Sequence, residues 1–322
     1  MSTEQAGPPT GAGPAPGGGG APPDAAVPAG APLAAAAPAG RRGGELAYFA
    51  LRNGKLVAGL VIVLFFLLVG LFAPMLLPHG PNEYDIGPQG APPSAELWLG
   101  TTRFGQDVYA QFVHGLRSTF LVGLLGGGVA FAVGMVVGFV AGYRGGWVDE
   151  VLNMITNVVL VLPTLAVLII VAAYLQARGV AVQSLFIGLT SWPWAARSIR
   201  AQTFSLSSRD FVDLARLSGR SSWKIIFRDI APNMSSYLFM TFILLFGGAV
   251  LIAAGLDFIG LGPTDGTSLG LMMNQAVNWG ALQLGMWWWF VPPGLGITAI
   301  VGALYVMNVG LDEVFNPKLR ET

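Results

Sequence analysis

Residues 197–233 read RSIRAQTFSLSSRDFVDLARLSGRSSWKIIFRDIAPN, a polar interruption in an otherwise apolar chain. The stretch holds seven of the seventeen Lys and Arg residues of the 322-residue sequence. Ser207 or Ser208 can cap a helix beginning near Arg209, which puts Phe211, Leu214 and Ala215 at i, i+3 and i+4 on one face, and Gly219 can end it. Ser221 or Ser222 can cap a second helix with Trp223, Ile226, Phe227 and Ile230 at i, i+3, i+4 and i+7, and Pro232 stops it. Asp213 stands at helical neighbour spacing from both Arg209 and Arg216, a pairing worth a few tenths of a kcal/mol. The expected product is two short amphipathic helices joined at a glycine. Composition leaves two uses for them, docking a cytoplasmic partner or lying on lipid headgroups.

Outward from this loop the sequence reads as membrane. Apolar residues make up 53% and charged residues 11% of the chain, and the mean hydropathy is +0.63, which places it among polytopic membrane proteins rather than soluble domains. Crossing about 30 Å of hydrocarbon takes roughly 20 apolar residues. Runs of that kind lie near Leu56 to Leu77, Thr119 to Tyr143, Val151 to Gln176, Val182 to Ala196, Ser236 to Leu256 and Trp287 to Leu311. The fourth is short and contains Trp192-Pro193, consistent with a bent or tilted helix. Threading six spans puts fourteen basic residues on one face: Arg41, Arg42, Arg52, Lys55, Arg144, the seven of the loop, Lys318 and Arg320. Arg103, Arg117 and Arg178 fall on the other, so both termini are expected in the cytoplasm of a multi-pass protein of the bacterial plasma membrane.

Residues 1–44 are rich in Ala, Pro and Gly and too poor in branched and aromatic residues to bury a core, so they read as a disordered cytoplasmic tail. They carry no basic and apolar pattern of a cleaved leader. The chain has no cysteine, which excludes disulfides, thiolate metal sites and cysteine nucleophiles. His79 and His114 are isolated and read as surface residues rather than metal ligands.

Ion-coupled transporters place ionisable residues inside their spans. Here Asp149, Glu150, Asp257, Asp312 and Glu313 all fall at span ends, where solvated or interfacial charge is the plain reading. This argues against an autonomous secondary transporter. Pro163, Pro193, Pro292 and Pro293 lie within spans, and Gly134 and Gly138 form a small-xxx-small pair that reads as close helix packing. Trp287-Trp288-Trp289-Phe290 reads as an interfacial anchor at the entry of the last span.

The order of residues in the loop is more specific than its composition. Asp213-Leu214-Ala215, three residues, Gly219, nine residues, Asp229 and then Ala231-Pro232-Asn233 resembles the EAA loop of ATP-binding-cassette importer permeases. Gly100-Thr101-Thr102-Arg103-Phe104-Gly105-Gln106-Asp107 with Gly115-Leu116-Arg117-Ser118 resembles the segment before the second span of the dipeptide and oligopeptide importer permeases, C-type subunit. Gly145 to Glu150, Leu256-Asp257-Phe258-Ile259-Gly260-Leu261-Gly262, and Pro293-Gly294-Leu295 with Asn308, Gly310, Asp312 and Asn316-Pro317-Lys318 are similar to later segments of the same family. The resemblance covers all but the first 45 or so residues. Asp213 replaces the usual Glu, Leu214 the first Ala, and Asp229 a common His; Thr102 and Gln106 replace an Asp and an Arg.

The resemblance implies an all-α membrane protein, the transmembrane domain of a type I importer over residues 45–322. It implies a coupling loop at residues 197–233 that docks on an ATPase subunit through Phe211, Asp213, Ala215, Arg216, Gly219 and Trp223, with Pro232 and Asn233 mainly structural. Asp213 has an alternative role as an internal fastener of the loop. The implied partners are a second related permease, two ATPase subunits that bind ATP and Mg, an extracytoplasmic solute-binding protein and membrane lipid, but no nucleic acid. The sequence contains no Gly-rich Gly-Lys-Ser/Thr phosphate loop, so no cofactor and no catalytic step is expected in this chain. The outer segment from Pro78 to Arg117, with Tyr84, Trp98 and Phe104, is either a platform for the binding protein or a plain connector. The implied cargo is a di- or oligopeptide, with nickel chelates or oligosaccharides as the alternatives.

Overall fold

The computed structural model describes residues 49–315, apart from Pro78, residues 175–178 and Asp265. The expected tail at residues 1–44 lies outside them, as do Arg41, Arg42, Arg178, Lys318 and Arg320 of the charge tally and the Asn316-Pro317-Lys318 match. Among the described residues there is no strand, and Thr101 and Asp107 form a single bridge. The helices are α1 (Gly54–Leu76), α2 (Val108–Arg144), α3 (Gly146–Val161), α4 (Thr164–Tyr174) and α5 (Val180–Ser207). After these come α6 (Asp210–Leu217), α7 (Ser222–Ile225), a π-helical turn (Ile226–Ile230), α8 (Ala231–Asn233), α9 (Ser235–Phe258), α10 (Leu269–Asn278) and α11 (Trp287–Phe315).

Four of these, α1, α2, α9 and α11, are long and apolar enough to cross a membrane, and α3 with α4 makes a fifth candidate if the bent pair is one span. The third expected span is therefore a broken one, with 75° between its halves. Pro163 explains the break. It has no N–H to give and biases its predecessor away from helical geometry, and Leu162 sits at ψ 128°. Where a fourth span was expected over Val182 to Ala196, α5 does not join the candidate set, because Gln183, Ser184, Thr190 and Ser191 dilute its apolar half. It also continues as helix to Ser207, so the first eleven residues of the polar stretch extend a long helix rather than forming a loop.

Small residues set the closest contacts. A methyl group built on Gly134, Gly138 or Gly142 of α2 would lie 3.0, 2.8 or 2.6 Å from the carbonyl oxygens of Trp192, Ala196 and Arg200 on α5. Three glycines four apart thus let the two backbones touch, which extends the expected Gly134 and Gly138 pair by one turn. α1 meets α11 in the same manner, since a methyl on Gly59 would sit 2.6 Å from the Ala303 carbonyl oxygen and one on Gly310 would sit 2.5 Å from the Leu56 nitrogen. Polar ties add to these contacts, fastening α5 to α3 and α1 to α11. The Arg200 guanidinium grips both carboxylate oxygens of Asp149, Arg197 donates to Asn157 Oδ1 at 2.6 Å, and Asn53 donates to Glu313 at 2.8 Å while capping α1.

Two expectations about individual residues are overturned. Trp288 and Trp289 are core rather than interfacial; Trp289 is fully buried, and Trp288 Nε1 donates to the Thr101 carbonyl at 3.1 Å, which leaves Trp287 alone exposed. Asp257 is buried rather than solvated. Gln183 Nε2 donates to its Oδ1 at 2.6 Å and Ser268 Oγ to its Oδ2 at 2.5 Å, so the carboxylate pins α5, α9 and the start of α10 together. Hydrogen-bond donors converging on it offset the cost of its burial.

Candidate functional site

The polar loop stands on an inward row of apolar side chains. In α6, Val212 and Ala215 face the core, with Ala215 only 5% exposed, while Phe211, Asp213, Leu214, Arg216 and Leu217 face out. The grouping of Phe211, Leu214 and Ala215 on one face is therefore split. Ala215 packs inside this chain. Leu217, which the sequence reading passed over, is 85% exposed and follows Leu214 at i+3. That spacing was the available signal.

The serine cap expected for the first helix does not form, while Ser221 holds the N-cap position of the second without a side-chain bond. Ser207 and Ser208 still belong to the end of α5, where their hydroxyls donate to the carbonyls of Phe204 and Ser205 at 2.9 and 3.2 Å. Arg209 holds the N-cap position of α6, and Asp210 and Asp213 in its first turn meet the positive end of the helix dipole. Gly219 does close the helix. At φ +70° it adopts the left-handed conformation that favours glycine, and the Gly219 to Arg216 and Arg220 to Ala215 backbone bonds, 3.0 and 3.3 Å, are the pair that defines a Schellman turn.

Beyond the turn the second helix is shorter than expected, and Pro232 does not stop it. After α7 the backbone widens into a π turn, where the Ala231 N–H reaches back five residues to the Ile226 carbonyl. Proline cannot donate to the helical ladder and its ring crowds the carbonyl four residues earlier; the wider turn just ahead of Pro232 accommodates both defects. The helix then resumes through α8 into α9, steadied by Asn233 Nδ2 donating to the Asp229 carbonyl at 2.6 Å. The widened turn also redistributes the apolar face. Ile225, Ile226 and Ile230 point inward, whereas Trp223 and Phe227 are half exposed and stack on each other at 5.9 Å.

Charges hold this platform in shape. Arg220 reaches Asp229 at 2.8 Å and so ties the two arms across the Gly219 turn. Asp213 pairs with Arg216 at 3.0 Å rather than with Arg209, and the Arg216 guanidinium lies 5.2 Å over the Tyr143 ring at the end of α2. Tyr143 foremost, with Asp213 adding, raises the pKa of Arg216 above its ordinary value. Arg197 and Arg200, counted with the loop, tie α5 to α3 instead.

On the other side of the bundle, residues 79–107 fold into a compact knot. Phe104 packs edge-on against Trp279 at 4.8 Å and faces Tyr84, while Tyr84 and Trp98 stay exposed. Thr102 and Gln106, the two departures from the family pattern there, are buried together; Thr102 Oγ1 lies 3.3 Å from Gln106 Oε1, which also accepts from Gln111 Nε2 at 3.0 Å. A neutral hydrogen-bonded pair occupies the place where the family pattern has an acid and a base.

Comparison with known proteins agrees with this architecture. Residues 134–321, over half of the chain, match the family described as binding-protein-dependent transport system inner membrane component, and residues 51–93 match the N-terminal TM domain of oligopeptide transport permease C. The chain is 30% identical over 276 residues to the dipeptide transport system permease protein DppC of Bacillus subtilis (strain 168), covering 85% of each chain. It is 31% identical over 269 residues to a Brucella suis biovar 1 (strain 1330) protein named provisionally as a peptide permease, covering 83% of this chain and 88% of that one. A DppC of Alkalihalophilus pseudofirmus is 29% identical over 278 residues, 85% of this chain and 90% of that one. With its apolar helix bundle and its Gly219-centred loop, the chain belongs to the family of binding-protein-dependent transport system inner membrane components.

Proposed function

We propose that this protein is the C-type permease subunit of an ATP-driven peptide importer, one half of the translocation pathway. The observation that carries the reading is the loop. Leu214 and Leu217 on one arm and the stacked Trp223 and Phe227 on the other expose apolar side chains on a base whose own side chains are buried, and such surface suits docking a partner better than lying free in water. In this reading α1, α2, the bent α3 and α4 pair, α5, α9 and α11 are the six spans, both termini are cytoplasmic, and α6 is the coupling helix. Phe211, Asp213, Leu214, Arg216, Leu217 and Trp223 meet the ATPase subunit, Gly219 sets the turn, and Pro232 and Asn233 shape the entry into α9. Ala215 supports the surface from beneath.

The chain supplies no catalytic step of its own. ATP and Mg belong to two ATPase subunits, a second related permease completes the pathway, and an extracytoplasmic binding protein delivers the solute. Peptide cargo is favoured over nickel chelates or oligosaccharides because the relatives above are named as peptide and dipeptide permeases.

The test is purification of the complex through this chain from its native membrane, followed by reconstitution in vesicles. The expected outcome is co-purification of a second permease and ATPase subunits, and ATP-dependent peptide uptake that requires the binding protein. Solute movement by this chain alone, without ATP, would overturn the reading.

A further inference from the structure

A groove of about 420 Å3 lies between α1, α2, α9 and α11. Its wall is apolar and aromatic, with Leu71, Phe120, Phe239, Phe242 and Phe246 prominent, and Arg117 is the single charged side chain on it. Phe246 is fixed there by contact with glycines, because a methyl on Gly123 would fall 2.5 Å from its ring and one on Gly127 would fall 2.8 Å from its Cα. Phe120 and Phe242 flank that ring at 6.1 and 6.3 Å. Arg117 is exposed and has no ion pair or hydrogen bond among the described residues. Arg117 stands two residues before the apolar run that begins at Thr119, so its guanidinium is held at the outer mouth of the groove, where a charged solute can reach it.

We infer that Arg117 receives the carboxylate of the transported solute while the phenylalanine wall takes its apolar side chain, so that the cargo is an anionic peptide end with bulky apolar residues. The inference rests on the importer reading and narrows its substrate class. A groove of this size with an aromatic lining and one directing charge has the make-up of a small-molecule site. In the proposed orientation Arg117 is at the outer end of the groove, where a solute released by the binding protein arrives first. A guanidinium can hold a carboxylate with two parallel N–H donors, a geometry a lysine does not reproduce.

The experiment uses the whole complex in vesicles at saturating binding protein. ATP-dependent uptake is compared for an apolar dipeptide with a free C-terminal carboxylate and for its C-terminal amide. Arg117→Gln is expected to lower the acid-to-amide uptake ratio roughly tenfold or more, the weight of one charge-assisted hydrogen bond, and Arg117→Lys to retain part of it. In the wild type, a dipeptide carrying a photoreactive phenylalanine is expected to label the α2 and α9 fragments bearing Arg117 and Phe246. An unchanged ratio in both variants, or label only on other segments, would overturn the inference, as would a phospholipid retained in the groove and not displaced by peptide. Absence of any ATP-driven peptide uptake by the wild type would instead sink the importer reading itself.

Discussion

Replacing Gly219 separates the geometry of the coupling turn from its bulk. Gly219 sits at φ +70°, and a Cβ built on it meets nothing within 4 Å among the described residues, so the penalty on that atom is conformational. A left-handed residue with a Cβ costs about 1–2 kcal/mol, and Asn, which tolerates that region, costs less. If the strain is relieved by opening the turn, the Arg220 to Asp229 tie and the outward set of Leu214 and Leu217 are lost together. Expressed in docking, about 1–2 kcal/mol is a factor of roughly 5–30. ATP hydrolysis stimulated by the loaded binding protein, measured on the purified complex in vesicles, should therefore fall in the order Gly219, Gly219→Asn, Gly219→Ala, Gly219→Val, with this chain still inserted at normal levels. The order Gly, Ala, Asn, Val, which follows size, would refute the argument, because it would place the constraint in the partner's groove rather than in the backbone of the turn.

Leu217→Asp and Leu214→Asp should weaken co-purification of the ATPase subunits, each removing up to about 1.5–3 kcal/mol of apolar burial, without lowering the thermal stability of the chain; Ile230→Asp should instead destabilise the chain itself. Gly142→Ala should lower the melting temperature of the detergent-solubilised protein, since its methyl would sit 2.6 Å from the Arg200 carbonyl oxygen, whereas Gly128→Ala, with open space around it, should be neutral or should stabilise by up to about 1 kcal/mol. Thr102→Asp and Gln106→Arg should each destabilise alone by leaving a charge buried without its partner, and the double variant should recover most of the loss, read as a coupling energy in a thermal double-mutant cycle.

Much of the bundle was legible because its causes are local. Apolar runs of sufficient length mark α1, α2, α9 and α11, and the spacing around Gly219 marks the turn at φ +70°. The misreadings share a cause, which is tertiary context. Periodicity assumed a regular helix from Trp223 to Ile230, but Pro232 forces a π turn that exchanges Ile225 for Phe227 on the inner face. Ser207 and Ser208 are good N-cap residues, yet α5 ends on them because α2 packs along it as far as Thr203. Asp257 looked like a solvated span end; its burial depends on Gln183, 74 residues away, and on Ser268 beyond the end of its helix. Ala215 matched the family motif at a docking position, and only the inward pairing with Val212 shows which way it faces.

The contacts of Gly134, Gly138 and Gly142 also bear on how this chain can change over generations. Beside the side chains of Ala195, Ile199 and Thr203 they meet main chain on α5, the carbonyl oxygens of Trp192, Ala196 and Arg200, and no mutation elsewhere can remove a carbonyl to make room for a methyl group. A docking leucine such as Leu217 can be lost and its contact restored by a change in the partner, so positions of that kind drift in pairs across subunits. The three glycines have no such second route. A lineage can re-choose its ATPase and its cargo while those three positions stay as they are.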